Sequence, residues 1–473
     1  MKRGKDMPRK EIIVICISNA CLLLLLATVG TSCKTVESDA PKPPFRYVWA
    51  KAYYLPPETH KESGYFALCE GKDGKIYVGT AASSQNSHLV EFDPDTEKMR
   101  AVHDTHKLLG LPTTETGYSA QAKIHTRNFV GPSGKIYFGT KQGYKSDEEQ
   151  EKEKRGEKIP VYEGGYVFVY DPKTDTTENL GMPMPLTDAM IADGKVEGQG
   201  VIDVTADESR GLIYVITCEE QHWLLYDMKT KKYRELGPIL WHQPCTIVDS
   251  RGRGTVTTDE QRIARYDPET NEVTVDELMV GGKTMKEAVG DQSVAPDWRV
   301  TRDGKTAYLQ YMQDPRIFRI DLTGDVGQPV IATSLGHRLE GQSLDSRFGI
   351  SIAPDGQVFT VTGVENMTGF GERSLHHLGR YDPTSGVMYD LGVLAIKNPD
   401  FYYENPRKNP KRKHIAPGTP ENPSYYGYET LPDGTMTVRR NCLGTIVASD
   451  GTIYITVLYP YTLLRIEPED YAF

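Results

Sequence analysis

The chain has 473 residues, is 38% hydrophobic and carries a formal charge of −10, with 44 glycines, 30 prolines and 28 tyrosines. Such a length with so many turn residues suits one large all-β domain. The acidic balance and the lack of any extended basic tract exclude nucleic acid from the expected partners.

Residues 1–33 read as an export signal. Lys2, Arg3, Lys5, Arg9 and Lys10 precede an apolar run from Ile12 to Val29, the order of charge and apolar core that secretion requires. The following Gly30-Thr31-Ser32-Cys33 resembles the signal of bacterial lipoproteins, with Gly30 where that family usually carries leucine. The resemblance implies lipidation at Cys33, a tether over residues 34–44, and attachment of a monomer to the membrane through lipid alone. Lys34 is not the aspartate that retains lipoproteins at the inner membrane, which favours the outer membrane or cell surface. Cys69, Cys218, Cys245 and Cys442 lie far apart without CxxC spacing, so they read as small buried side chains, with one disulfide left open.

From residue 45 two signatures alternate. The first is a glycine turn leading into a β-rich strand, as in Asp73-Gly74-Lys75-Ile76-Tyr77-Val78, Ser133 to Thr140, Asp355-Gly356-Gln357-Val358-Phe359 and Asp450-Gly451-Thr452-Ile453-Tyr454. The second is an aromatic residue or isoleucine, then an acidic residue and a turn, as in Phe92-Asp93-Pro94, Tyr170-Asp171-Pro172 and Tyr381-Asp382-Pro383. Seven copies of each, strictly alternating, predict a seven-bladed β-propeller over residues 45–473. The last copy, Ile466-Glu467-Pro468, leaves too little chain for an outer strand, so Phe45 to Leu55 is expected to close the last blade. Two insertions break the rhythm. Residues 141–164 carry a charge-dense core, expected as a solvated, mobile loop able to cover a cleft, and residues 397–428 mix Arg and Lys with Tyr402, Tyr403, Tyr425, Tyr426 and Tyr428. Basic and aromatic side chains together suit an acidic sugar polymer, and a plain surface loop fits that second insertion as well.

Within the second repeat, Lys123, His125 and Arg127 fall on alternate residues, which share a face if the strand is continuous. Counting back to the start of each blade's first strand brings His125 level with Tyr65 and Arg347. The same register gives Ile202 with Gln199 nearby in the third blade, Gln243 beside His242 in the fourth, Ala295 close to Trp298 in the fifth, and Cys442 preceded by Arg440 and Asn441 in the seventh. These polar residues would ring one mouth of the central channel, where propeller ligands are expected. A structural network, with each group satisfied by a neighbouring blade, is the competing reading.

The fold and these residue types resemble the propeller polysaccharide lyases that eliminate uronates, the ulvan and oligogalacturonate lyases. That resemblance implies β-elimination on an acidic polysaccharide, with His125 as base, Tyr65 as proton donor or second base, and Arg347 and Arg127 as carboxylate clamps. Gln199, His242, Gln243, Trp298, Arg440 and Asn441 would hold the sugar. In the metal version of the resemblance, His125, His242, Gln243 and Gln199 would ligate a divalent ion. His376 and His377, adjacent on one strand, read as structural. The alternative class is a surface lipoprotein that binds a glycan or protein without catalysis. A hydrolase would want acidic residues in the ring, and the count supplies none.

Overall fold

In the computed structural model, residues 41–472 are described except for 62, 83–84, 113–116, 194–196, 238–244, 291–295, 312–313, 342–348, 372–373, 405–426 and 440–441. Within Pro41–Phe473 the chain is a β-propeller. Its strands run as successive antiparallel hairpins, and their inner pairs are Ser63–Glu70 with Ile76–Ala81, Phe129–Val130 with Ile136–Lys141, Gly200–Asp207 with Leu212–Cys218, Ile247–Val248 with Gly254–Thr257, Pro296–Val300 with Thr306–Tyr311, Ile350–Ile352 with Val358–Glu365, and Cys442–Val447 with Ile453–Val457.

The turn chemistry explains why the repeats fold this way. In every inner hairpin the turn glycine has a positive φ, from 67° at Gly211 to 92° at Gly134 and Gly451, a conformation that a side chain disfavours. The residue before the glycine caps the turn. Asp303, Asp355 and Asp450 accept the backbone N–H two residues on at 3.1, 3.0 and 2.8 Å. The second signature works alike: Asp93, Asp171, Asp227, Asp267 and Asp382 accept the N–H of the residue two ahead at 2.8–3.0 Å.

Ile466-Glu467-Pro468 leads into a short helix, Pro468–Tyr471, instead of a strand. The missing place is taken by the first strand, Tyr47–Tyr54. Lys51 to Tyr54 run antiparallel to Thr462–Ile466, while Tyr47 to Ala50 run parallel to Val393 to Ile396 of the preceding repeat. One segment therefore hides two edges that would otherwise offer unpaired backbone groups. Val48, Ala50 and Ala52 carry its inward face into the core.

Glutamates at the inner-strand ends clasp neighbouring repeats. Glu70 accepts the N–H and hydroxyl of Ser449 at 2.8 and 2.7 Å, and Glu208 holds Ser133 in the same way at 2.6 Å for both. The first of these clasps joins the last repeat to the first.

Candidate functional site

The stretch Lys123 to Arg127 does not form one continuous strand. Lys123–Ile124 is a two-residue strand wedged between two others: Lys123 pairs with Ala81 on one side and with Lys141 on the other. His125 keeps the ladder through its N–H to the Gly139 carbonyl at 3.3 Å. The chain then bends through Asn128, whose φ is 47°, before Phe129–Val130 resumes pairing. The bend separates Arg127 from the face that Lys123 and His125 would share with it in an unbroken strand.

Arg127 ties repeats together across the axis. Its Nε donates to Asp203 Oδ1 at 3.2 Å, and its two terminal nitrogens donate to the carbonyls of Trp298 and Thr246, each at 3.1 Å. Asp203 also accepts the Thr246 N–H at 2.8 Å. Trp298 is 1% exposed and donates its indole N–H to the Cys245 carbonyl at 2.7 Å. Asp297, fully buried, is met by Arg299. With three nitrogens on protein oxygens, the Arg127 guanidinium is a structural tie and not a carboxylate clamp. Trp298 is a core residue and not a sugar contact. Below this layer a cavity of about 860 Å³ opens toward the glycine turns, lined by residues of the inner strands described above, from Leu68 to Val447.

A second constellation lies at the other end of the second repeat's strands. Lys123 and Lys141 stand directly opposite each other in the ladder, an arrangement that like charges make unfavourable. Lys123 is 4% exposed, and its ammonium sits 3.6 Å from the centroid of the Tyr144 ring. Lys141 pairs with Glu219 at 2.7 Å, and Gln142 donates to the same carboxylate at 2.9 Å. His125 is buried beside them, edge-on to Phe66 with ring centroids 5.1 Å apart.

Burial, reinforced by the ammonium groups of Lys141 and Lys123, pushes the His125 imidazole well below its ordinary pKa, so it is neutral throughout the physiological range. Burial also lowers Lys123, against the attraction of the Tyr144 ring and with the repulsion of Lys141. Burial opposes the charge of Lys141, yet the Glu219 carboxylate beside it holds its pKa above the ordinary lysine value, so it stays cationic. Glu219 is lowered: burial favours its neutral form, but Lys141 outweighs that. The Cys218 thiol is pushed up to about 11 by burial and remains protonated. Cys69, Cys218 and Cys245 are all buried and free of disulfides.

The other expected residues divide into three sets. Arg347, His242, Gln243, Arg440, Asn441, Tyr425, Tyr426 and Cys33 lie outside the described residues, as does the side chain of Tyr65, whose backbone belongs to the strand Ser63–Glu70. Gln199 is buried, and its side-chain amide oxygen Oε1 accepts the Glu220 N–H at 2.7 Å. Tyr402 and Tyr428 are fully buried against Phe401, so these two tyrosines of the second insertion are core residues. His377 pairs with Asp390 at 2.9 Å.

Of the four residues of the metal version, His242 and Gln243 lie outside the described residues, and the two described ones, His125 and Gln199, are poorly placed for a cation. Two ammonium groups beside His125 would repel it, and Gln199 already spends its oxygen on the backbone. The first insertion, expected as a mobile loop, holds a helix, Asp147–Lys154. Ser146 and Glu149 close a capping box at its start. Lys141, Tyr144 and Glu219 went unrecognised in the sequence because the repeat count looks along first strands only. The lysine opposite Lys123 could have been found from the hairpin register.

No protein-family profile and no curated protein matches the chain. Among solved structures it is similar to the RRP9 WD40 repeats, at 8% identity and a TM-score of 0.49 over 89% of this chain and 99% of that one. It is also similar to the Cps50 (Swd1) β-propeller domain of Myceliophteria thermophila, at 9% identity and a TM-score of 0.47 over the same shares of each chain. A third is the extracellular domain of the hybrid two-component system BT3049 from B. thetaiotaomicron, at 11% identity and a TM-score of 0.45 over 89% of this chain and 41% of that one. At these identities the likeness concerns the fold and not the activity.

Proposed function

We propose that this protein is an exported propeller that acts on an acidic polysaccharide, receiving a uronate carboxylate at Lys123 and Lys141 and cleaving the chain by β-elimination. The observation that carries the reading is the cross-strand lysine pair, set against the bend that diverts Arg127. Glu219 offsets part of the repulsion between the two lysines, and an anion arriving at the pair offsets the rest. Elimination needs the uronate carboxylate neutralised, so that the proton beside it becomes acidic, a base to take that proton as the C4–O4 bond breaks, and a proton for the departing O4, which solvent water supplies here.

His125 is a poor base. Its pKa is depressed by burial and by the two lysines beside it, so it holds a proton too weakly to draw one from carbon. Lys123 takes that role in this reading, because burial lowers its amine below the ordinary lysine value and so raises the share that is free to accept a proton. Lys141, held cationic by Glu219, then neutralises the carboxylate. His125 supports Lys123 as a neutral neighbour that adds no further charge to the cluster.

The experiment is to incubate the purified chain with ulvan, pectate and glycosaminoglycans and follow the ultraviolet absorbance of unsaturated uronates. Release of that chromophore, lost in Lys123→Met, is the expected result. The burial of His125 favours a second reading, non-catalytic binding, which predicts that an acidic polymer binds without any chromophore forming.

A further inference from the structure

We propose that the axial cavity on the glycine-turn side binds a small amphipathic anion, a carboxylate carried on an aliphatic body. This site is separate from the lysine pair and independent of the reading above. Its volume of about 860 Å³ falls within the span of small-molecule pockets, about 300–1,000 Å³. Two guanidinium groups meet in its wall. Arg299 Nη1 donates to the Trp298 carbonyl at 3.0 Å, and Arg127 Nη1 reaches the same oxygen at 3.1 Å, so the two cations stand side by side. Their commitments differ. Arg127 spends three nitrogens on protein oxygens. Arg299 spends only Nη1, on Trp298 and Asp297, and among the described residues its Nε and Nη2 meet no acceptor. Those two nitrogens form one edge of the planar fork, spaced to take both oxygens of a carboxylate. The Arg299 side chain is 23% exposed and lines the cavity, so that edge has room for a ligand.

Toward the turns the walls become apolar. The strands Phe129–Val130, Ile247–Val248, Pro296–Val300, Ile350–Ile352 and Cys442–Val447 each end in a branched aliphatic residue. All five of these end residues line the cavity and are half-buried. A collar of valine and isoleucine left partly in water gains free energy when an aliphatic chain covers it. Carboxylates border the cavity too, but the turns occupy them. Glu70 and Glu208 accept from Ser449 and Ser133, Asp207 and Asp249 pair with Arg210 and Arg253, and Asp303 accepts from Thr301. Lys72 and Arg302, both exposed, add positive charge to the lining. Charge and apolar surface therefore select together: the open guanidinium edge takes the head of the ligand, and the collar takes its tail.

The test is calorimetric titration of the full chain with octanoate. Octanol, with the same tail and no charge, and acetate, with the same head and no tail, are the controls. Saturable octanoate binding, at least about tenfold tighter than either control, is expected. Arg299→Met/Asp297→Asn removes the cation together with its buried partner, and should bring octanoate down to the affinity of octanol. Val248→Trp fills the collar and leaves the arginines in place, so it should weaken octanoate by about tenfold. Melting temperatures show whether each variant is folded, and a folded variant that binds octanoate as the unaltered chain does would overturn the proposal. So would equal affinity for octanoate and octanol, or no saturable octanoate binding, in the unaltered chain. Lys123→Met/Lys141→Met should keep full octanoate affinity. Loss of binding there would assign the anion to the lysine pair and remove it from the cavity.

Discussion

Lys123 combines three properties at one position: burial, a like charge directly across the ladder, and an aromatic cover. Desolvation and repulsion make its charged form a liability to the fold. Lys123→Met, which keeps the volume and removes the charge, is therefore expected to raise stability by about 1 kcal/mol in denaturant unfolding while weakening binding of acidic polymer at least about tenfold. Loss of stability together with loss of binding would mark Lys123 as a structural group. His125 yields a pH prediction. Its folded pKa lies well below the unfolded value, so its contribution is fully present above about pH 6.5 and is lost as pH falls below that. His103, lowered to about 3 by burial, follows the same sign. His125→Gln should flatten the fall of stability between pH 6 and pH 4.5 by about 1.4 kcal/mol per pH unit, measured by urea unfolding across that window. An unchanged slope would show that the imidazole is already charged in the fold.

At the scale of elements, the glutamate clasps and the closing strand carry the ring. Glu70→Ala leaves the Ser449 N–H and hydroxyl without their acceptor and should cost about 1–2 kcal/mol in unfolding free energy. Glu208→Ala at the equivalent internal joint should cost a similar amount, and a far smaller effect at Glu70 would show that the seam does not depend on its clasp. These elements were largely legible in the sequence. The turn glycines and capping aspartates repeat because each hairpin needs the same backbone conformation, and the shortened final repeat pointed to Phe45–Leu55 as the closing strand. The site was less legible. The repeat count assumes a regular first strand, and the bend at Asn128 breaks that assumption where it matters, sending Arg127 to Asp203 while His125 stays in the ladder. The insertion was misjudged for a different reason: a run of charges reads as solvated whether or not it is helical, and the Ser146–Glu149 capping box that orders it is a local signal inside that run.

For the molecule as a whole, the axis is divided. The cavity on the glycine-turn side is bounded by Arg127, and the lysine pair lies toward the opposite end of the strands. Arg127 binds carbonyls of two repeats and the carboxylate of a third, so Arg127→Met strands Asp203 as a buried charge without its partner. It should cost about 3–5 kcal/mol in unfolding, with the loss relieved in the double variant Arg127→Met/Asp203→Asn. The chain is acidic overall, and Glu219 offsets the lysine pair in part; the anionic ligand proposed above would offset the remainder. The most direct measurement is the affinity of the full chain for an oligogalacturonide compared with its neutral glucan counterpart, repeated with Lys123→Met/Lys141→Met. Preference for the acidic oligosaccharide that disappears in the double variant is the result predicted here. Equal affinity for both sugars, or an acidic preference that survives loss of both lysines, would contradict it.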